Sequence, residues 1–119
     1  MFQYFRRFTL LLVAMCLVAT WSVSLTAQTV EEFLTRAEAG DAEAQFNLGL
    51  MYAYGRGVPQ NYVTAYMWLT LAMSRPDLED SDLEIVVQTR DQVAAQLTPD
   101  ELAEGQRLAS AWDAAHPRD

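Results

Sequence analysis

The chain has 119 residues, with eight arginines, no lysine, sixteen acidic residues and one cysteine. That length holds one domain. The acidic balance disfavours nucleic acid and anionic membrane surfaces, and a lone cysteine excludes an internal disulfide.

Residues 1–27 read as a targeting segment. Arg6 and Arg7 form a positive start, residues 8–23 carry no charge, and Ser24-Leu-Thr-Ala27 offers a cleavage site after Ala27. The residues after Arg6-Arg7 do not fit a twin-arginine motif. Met15 stands where lipidation of Cys16 would need a small residue, so Cys16 reads as an ordinary apolar residue of the leader. The expectation is a periplasmic or secreted chain of residues 28–119. The alternative is an uncleaved inner-membrane anchor, because the uncharged run is just long enough to span a bilayer; membrane contact would then be confined to residues 1–27. The remaining 92 residues carry six arginines against sixteen acids, a net −10, and must be held by packing alone.

A short helix is expected over 29–39, with Thr29 as cap, Glu31 and Glu32 in the first turn, and Val30, Phe33, Leu34 and Ala37 on one face. Gly40 ends it in the left-handed conformation, and Asp41 caps the next helix. There Ala44, Leu48, Met51 and Tyr52 share one face, with Phe46, Leu50 and Ala53 nearly opposite, the pattern of a helix sandwiched between neighbours. Phe46 and Leu50 are expected to meet the helix at 29–39. Gly49, unfavourable inside a helix by roughly 1 kcal/mol, marks a close approach of another helix. Gly55-Arg-Gly57-Val58-Pro59 makes a corner: Gly55 stops the helix, Gly57 takes positive φ, Val58 plugs the gap and Pro59 keeps the chain extended. Asn61 caps a third helix, with Tyr62, Ala65, Tyr66, Leu69 and Ala72 in one stripe and Trp68 and Leu71 beside it. After a loop at Arg75–Asp80, Ser81 and Glu84 read as a capping box for a helix carrying Leu83, Val86, Val87, Val93, Ala94 and Leu97. Thr98 and Glu101 repeat the device with Pro99 at the first helical position, and Leu102, Leu108, Ala109 and Trp112 follow on one face. No strand is expected.

The run Ala42–Ala72, AEAQFNLGLMYAYGRGVPQNYVTAYMWLTLA, resembles one full Sel1-like repeat, an α/α unit related to tetratricopeptide repeats. The resemblance rests on Ala44, Leu48, Gly49, Tyr52, Gly55, Gly57, Val58, Asn61, Ala65, Trp68 and Ala72. Residues 33–40 resemble the tail of a preceding repeat, and TPDELAEGQRLASAW is similar to the last helices of short Sel1-repeat proteins. Asn61 stands where the family often has aspartate, and Met73 where a second alanine is common. The resemblance implies an all-α fold: an antiparallel hairpin repeat with core 41–73, flanked by one N-terminal helix and two C-terminal capping helices within a single domain, 28–119. It also implies an adaptor that binds another protein or peptide, here in the bacterial cell envelope. One repeat cannot bury both of its faces, so the flanking helices or a second copy must supply the neighbours.

Catalytic chemistry is hard to assemble from these residues, and no enzyme activity, cofactor or metal is expected. His116 stands alone beside a proline, without partners to orient it as a base. The acidic run at 77–84 lacks the glycine and alternation of a calcium loop and reads as a solvated helix start. Gly55-Arg-Gly57 lacks the strand and the Lys-Ser/Thr ending of a phosphate loop. Tyr52, Tyr62, Tyr66 and Trp68 have the spacing of a core stripe and not of a ligand cage. Asn47, Tyr54 and Arg56 are the expected exposed binding contacts. The alternatives are a small envelope hydrolase acting on cell wall or β-lactam, for which no nucleophile is visible, and a self-associating structural protein.

Overall fold

The computed structural model describes residues 29–118, which form five helices and no strand. In chain order these are α1 (29–38), α2 (Ala42–Tyr54), α3 (Tyr62–Met73), α4 (Asp80–Ala94) and α5 (Pro99–Ala115). The leader and cleavage expectations for residues 1–27 lie outside the described residues. The expected alternative of an inner-membrane anchor is corrected as far as the described residues go: none of their helices is long and apolar enough to cross a membrane, and the uncharged run at 8–23 lies outside them.

Most helix ends follow the local chemistry. Gly40 (φ 92°) closes α1, and Asp41 caps α2, its carboxylate accepting from the Ala44 amide at 3.2 Å. Gly55 (φ 65°) ends α2, where the Arg56 amide reaches back to the Met51 carbonyl at 2.9 Å. The Asn61 side chain accepts from the Thr64 amide at 3.1 Å, so asparagine caps α3 without loss. Thr98 and Glu101 form the complete capping box of α5.

Thr29 is the first described residue and is already helical, so the start of α1 borders residues outside the described ones. One expected cap is corrected. Ser81 does not open α4, which starts at Asp80 after Glu79 with no side-chain cap. Asp80 and Asp82 in the first turn meet the positive end of the helix dipole directly. Starting earlier places Ser81 inside the helix, beyond the reach of a capping box.

The core consists of two clusters on two faces of α3. Ala65, Tyr66, Leu69 and Ala72 pack with Ala53 of α2 and with Val86 and Val93 of α4. Trp68 and Leu71 pack with Ala37 of α1, Ala44 and Leu48 of α2 and Ala109 of α5. Tyr52 touches both clusters. Leu48, Leu69 and Leu71 are fully buried, each worth roughly 1.5–3 kcal/mol against exposure. The partners of α1 differ from expectation. Phe46 joins the α3–α4 cluster, while Phe33 and Leu34 of α1 pack on the Ala44–Leu48–Trp68 side. The chain turns at Gly40, where φ is positive and Arg36 pairs with Asp41 at 2.8 Å, and α1 lies on the Ala44–Leu48 face of α2.

Two glycines set how closely the helices approach α3. A Cβ on Gly49 would lie 2.7 Å from Cγ and Cδ2 of the buried Leu69, and 3.5 Å from the Ala65 carbonyl. A Cβ on Gly105 of α5 would lie 2.8 Å from Cδ1 of Tyr66 and 3.5 Å from the Val63 carbonyl. The α2 approach was legible in the sequence; the α5 approach was not.

A polar junction locks the ends of the helices. Gln45, fully buried, donates to the Ala37 carbonyl at 3.0 Å and accepts from Arg75 Nε at 3.3 Å. The Arg75 side chain is 8% exposed and stands 3.7 Å from an Asp113 oxygen, a charge contact too long for a hydrogen bond. Its guanidinium lies 5.0 Å from the Trp112 ring centre, and burial pushes its pKa down, though an arginine stays charged. Arg118 closes the junction by donating to the Ser74 carbonyl at 2.7 Å and to its hydroxyl oxygen at 2.9 Å.

Trp68→Ala should cost about 3–5 kcal/mol, and Gly49→Leu and Gly105→Leu about 1–3 kcal/mol each through overpacking, read from urea unfolding midpoints. The hydrogen bonds from Arg36 hold the Asp41 carboxyl below its ordinary range, helped by the Ala44 amide. A lowered folded pKa adds stability that is complete above the ordinary aspartate value of about 3.9 and is lost as pH falls through the folded value. Asp41→Ala should therefore cost about 1 kcal/mol at neutral pH, and the gap to the parent protein should shrink in titrations carried below about pH 4.

Candidate functional site

Helices α2, α4 and α5 all pack on α3. Between the end of α2, the start of α3 and the C-terminal half of α4 they leave an open groove of about 250 Å³. Its walls are Ala53 and Tyr54, then Tyr62, then Thr89, Gln92, Val93 and Gln96. None of these side chains is charged, in a chain with sixteen acidic residues.

Local chemistry builds each wall. Tyr54 is the last residue of α2 and 57% exposed, because the left-handed turn at Gly55 ends the helix there. Gln60 holds the α2–α3 corner: its Nε2 donates to the Ala53 carbonyl at 2.8 Å and to the Tyr62 hydroxyl at 3.0 Å. One amide thus satisfies a helix-end carbonyl that would otherwise lack a partner and fixes the tyrosine at the groove. On α4, Thr89 and Gln92 recur at helical spacing and share a face with Ile85, which is 52% exposed, and Gln96 follows in the turn just after the helix. The Thr89 hydroxyl donates to the Ile85 carbonyl at 2.8 Å.

Asn47, Tyr54 and Arg56, the contacts anticipated in the sequence, divide. The Arg56 guanidinium stands 5.2 Å from the Tyr54 ring centre, a cation–π distance. Arg36, Arg75, Arg90, Arg107 and Arg118 all have carboxylate partners, and Arg56 is the one arginine among the described residues without an ion pair there. Asn47 lies two turns before Tyr54 on the same face, and its side chain donates to the Glu43 carbonyl at 3.0 Å. Of the four aromatics read as core, Tyr66 and Trp68 are buried, Tyr52 is half-buried, and Tyr62 is half-buried at the groove. Gln60, Gln92 and Gln96 were missed. Glutamine carries no periodic signal, and only folding brings 60, 92 and 96 to one place.

The remaining polar groups are structural. His116 stacks on Trp112 at 3.9 Å, its Nδ1 lies 2.8 Å from the Trp112 carbonyl, and it closes the end of α5. Among the described residues no group of His, Cys, Asp and Glu is placed to hold a metal ion.

Residues 42–75 match the family model of the Sel1 repeat. The chain contains a Sel1 repeat. In the structure that repeat is α2, the glycine corner and α3, and it ends on Arg75, the centre of the polar junction. No curated protein and no solved structure matches the chain. The matched segment lies in an all-α helical repeat fold, consistent with a protein-interaction module.

Gln60→Ala should cost about 0.5–1.5 kcal/mol by stripping a hydrogen bond from the Ala53 carbonyl. Tyr54→Ala, at an exposed position, should change stability by less than about 0.5 kcal/mol. Thermal unfolding of both variants checks the pair.

Proposed function

We propose that the chain is an exported, non-catalytic adaptor of the bacterial cell envelope that binds another polypeptide in the groove between α2 and α4. The single observation that carries this reading is the groove itself: an uncharged strip of aromatic, aliphatic and amide side chains, open to solvent, on a repeat that otherwise buries its apolar faces within the chain. Grooves of this composition suit peptides, because aromatic and aliphatic side chains supply burial while amides and hydroxyls meet main-chain groups. Export and an envelope location are supported by the leader pattern of residues 1–27, with residues 28–119 as the working domain. Fold alone names no partner, so the reading stands on the groove.

The test is site-specific photo-crosslinking in cells. A photoreactive amino acid at Gln92, on the groove wall, should form a discrete adduct with a second polypeptide. The same group at Gln106, on the exposed side of α5, should not. Equal labelling at both positions, or labelling at Gln106 alone, sinks the groove as the site.

A further inference from the structure

The groove and its lip differ in charge from the rest of the molecule. Residues 28–119 carry a net −10, yet every charged side chain is missing from the groove walls. Arg56 stands at the lip, exposed, beside the Tyr54 ring that forms one wall, and has no carboxylate partner among the described residues. Five other arginines are neutralised by neighbouring acids, although acids are plentiful. A guanidinium left unpaired on an acidic protein offers its fork of donors to an incoming carboxylate. Stacking on Tyr54 restrains it without using up those donors.

Resting on the binding reading above, we propose that the groove takes an extended segment of another protein that presents an aspartate or glutamate side chain to Arg56. The segment lies between Tyr54 and Tyr62 on one side and Gln92 and Gln96 on the other. Both glutamines are exposed and their side chains make no hydrogen bond within the described fold, so the side-chain amides are open to main-chain N–H and C=O groups. A basic segment would find no acid on these walls. The groove is open and Arg56 sits at its lip, which favours a side-chain carboxylate within a continuing segment over a chain terminus. Repulsion from the acidic surface is screened beyond about 8 Å at physiological ionic strength, whereas contact with Arg56 acts at hydrogen-bond range.

The experiment pans a displayed library of random heptapeptides, amidated when resynthesised, against the full chain. Synthetic copies are then measured against Arg56→Gln, Arg56→Lys, the double variant Gln92→Ala/Gln96→Ala, and Arg107→Gln as a surface control. Circular dichroism melts confirm that each variant is folded. The expected result is enrichment of peptides sharing one Asp or Glu. Their Kd should rise roughly tenfold or more with Arg56→Gln, recover in part with Arg56→Lys, weaken with the glutamine double variant, and hold with Arg107→Gln. Peptides that need Gln92 and Gln96 but share no acid, or ignore Arg56→Gln, overturn this proposal and leave the adaptor reading standing. Enrichment of basic peptides overturns it as well. If no peptide depends on the glutamines, both readings fail. A concentration-dependent dimer broken by the double variant, with no peptide enriched, overturns it in favour of a second copy.

Discussion

Two glycines, Gly49 on α2 and Gly105 on α5, let those helices close onto α3, and the rest of the architecture depends on that contact. At each, an added Cβ would fall inside 3.0 Å of a large side chain already packed in the core, Leu69 in one case and Tyr66 in the other. Both sites also bring the helix near a carbonyl of α3, Ala65 or Val63. Interiors are packed at crystal-like density, so a methyl group there has no free volume to enter. With α2 and α5 seated, Trp68, Leu71 and Ala109 come together in one cluster and Leu69 is sealed in the other. A helix interior normally disfavours glycine; here the loss is offset by burial that no other residue would permit.

Apolar contact alone does not say where α1 and the chain's end must lie. The junction of Gln45, Arg75, Asp113 and Arg118 supplies that. Gln45 binds the last turn of α1 and Arg75 together, Arg75 reaches Trp112 and Asp113 of α5, and Arg118 returns to Ser74. A buried glutamine without its partners would leave donors and acceptors unsatisfied, at a penalty of about 1–3 kcal/mol each. Misplacing any one of these segments therefore exposes the junction to that penalty, and polar specificity is added to a fold whose stability is mostly apolar.

The groove follows from the same geometry. A single α/α repeat has two faces to cover. Here α1 covers one face and α4 the other, while α5 reaches both, with Ala109 and Trp112 on the α1 side and Leu102 and Gly105 on the α4 side. α4 packs on α3, and Tyr54, Tyr62, Gln92 of α4 and Gln96 in the turn after it line the gap left beside the end of α2. A repeat stacked in a long solenoid would hand such a surface on to the next unit. Among the described residues nothing fills it, and its uncharged walls, beside an arginine without an ion pair among those residues, set it apart from a surface dominated by acids.

By itself the sequence determined the helices, their polar ends and the two stripes of α3. Helical period and capping are local: Ala65–Leu69–Ala72 and Trp68–Leu71 announce two faces, and Asp41, Asn61 and Thr98 mark three starts. Where two local signals overlapped, as with the acids and Ser81 before α4, the sequence did not show which residue the helix would choose. Tertiary structure decided which face of α2 receives α1, that Gly105 is a contact point, and that Gln45 and Arg75, thirty residues apart, share a buried bond. It also decided the groove, whose wall residues come from three helices and the turn after α4. Those outcomes depend on distances between residues remote in the chain, and such distances leave no periodic trace along it.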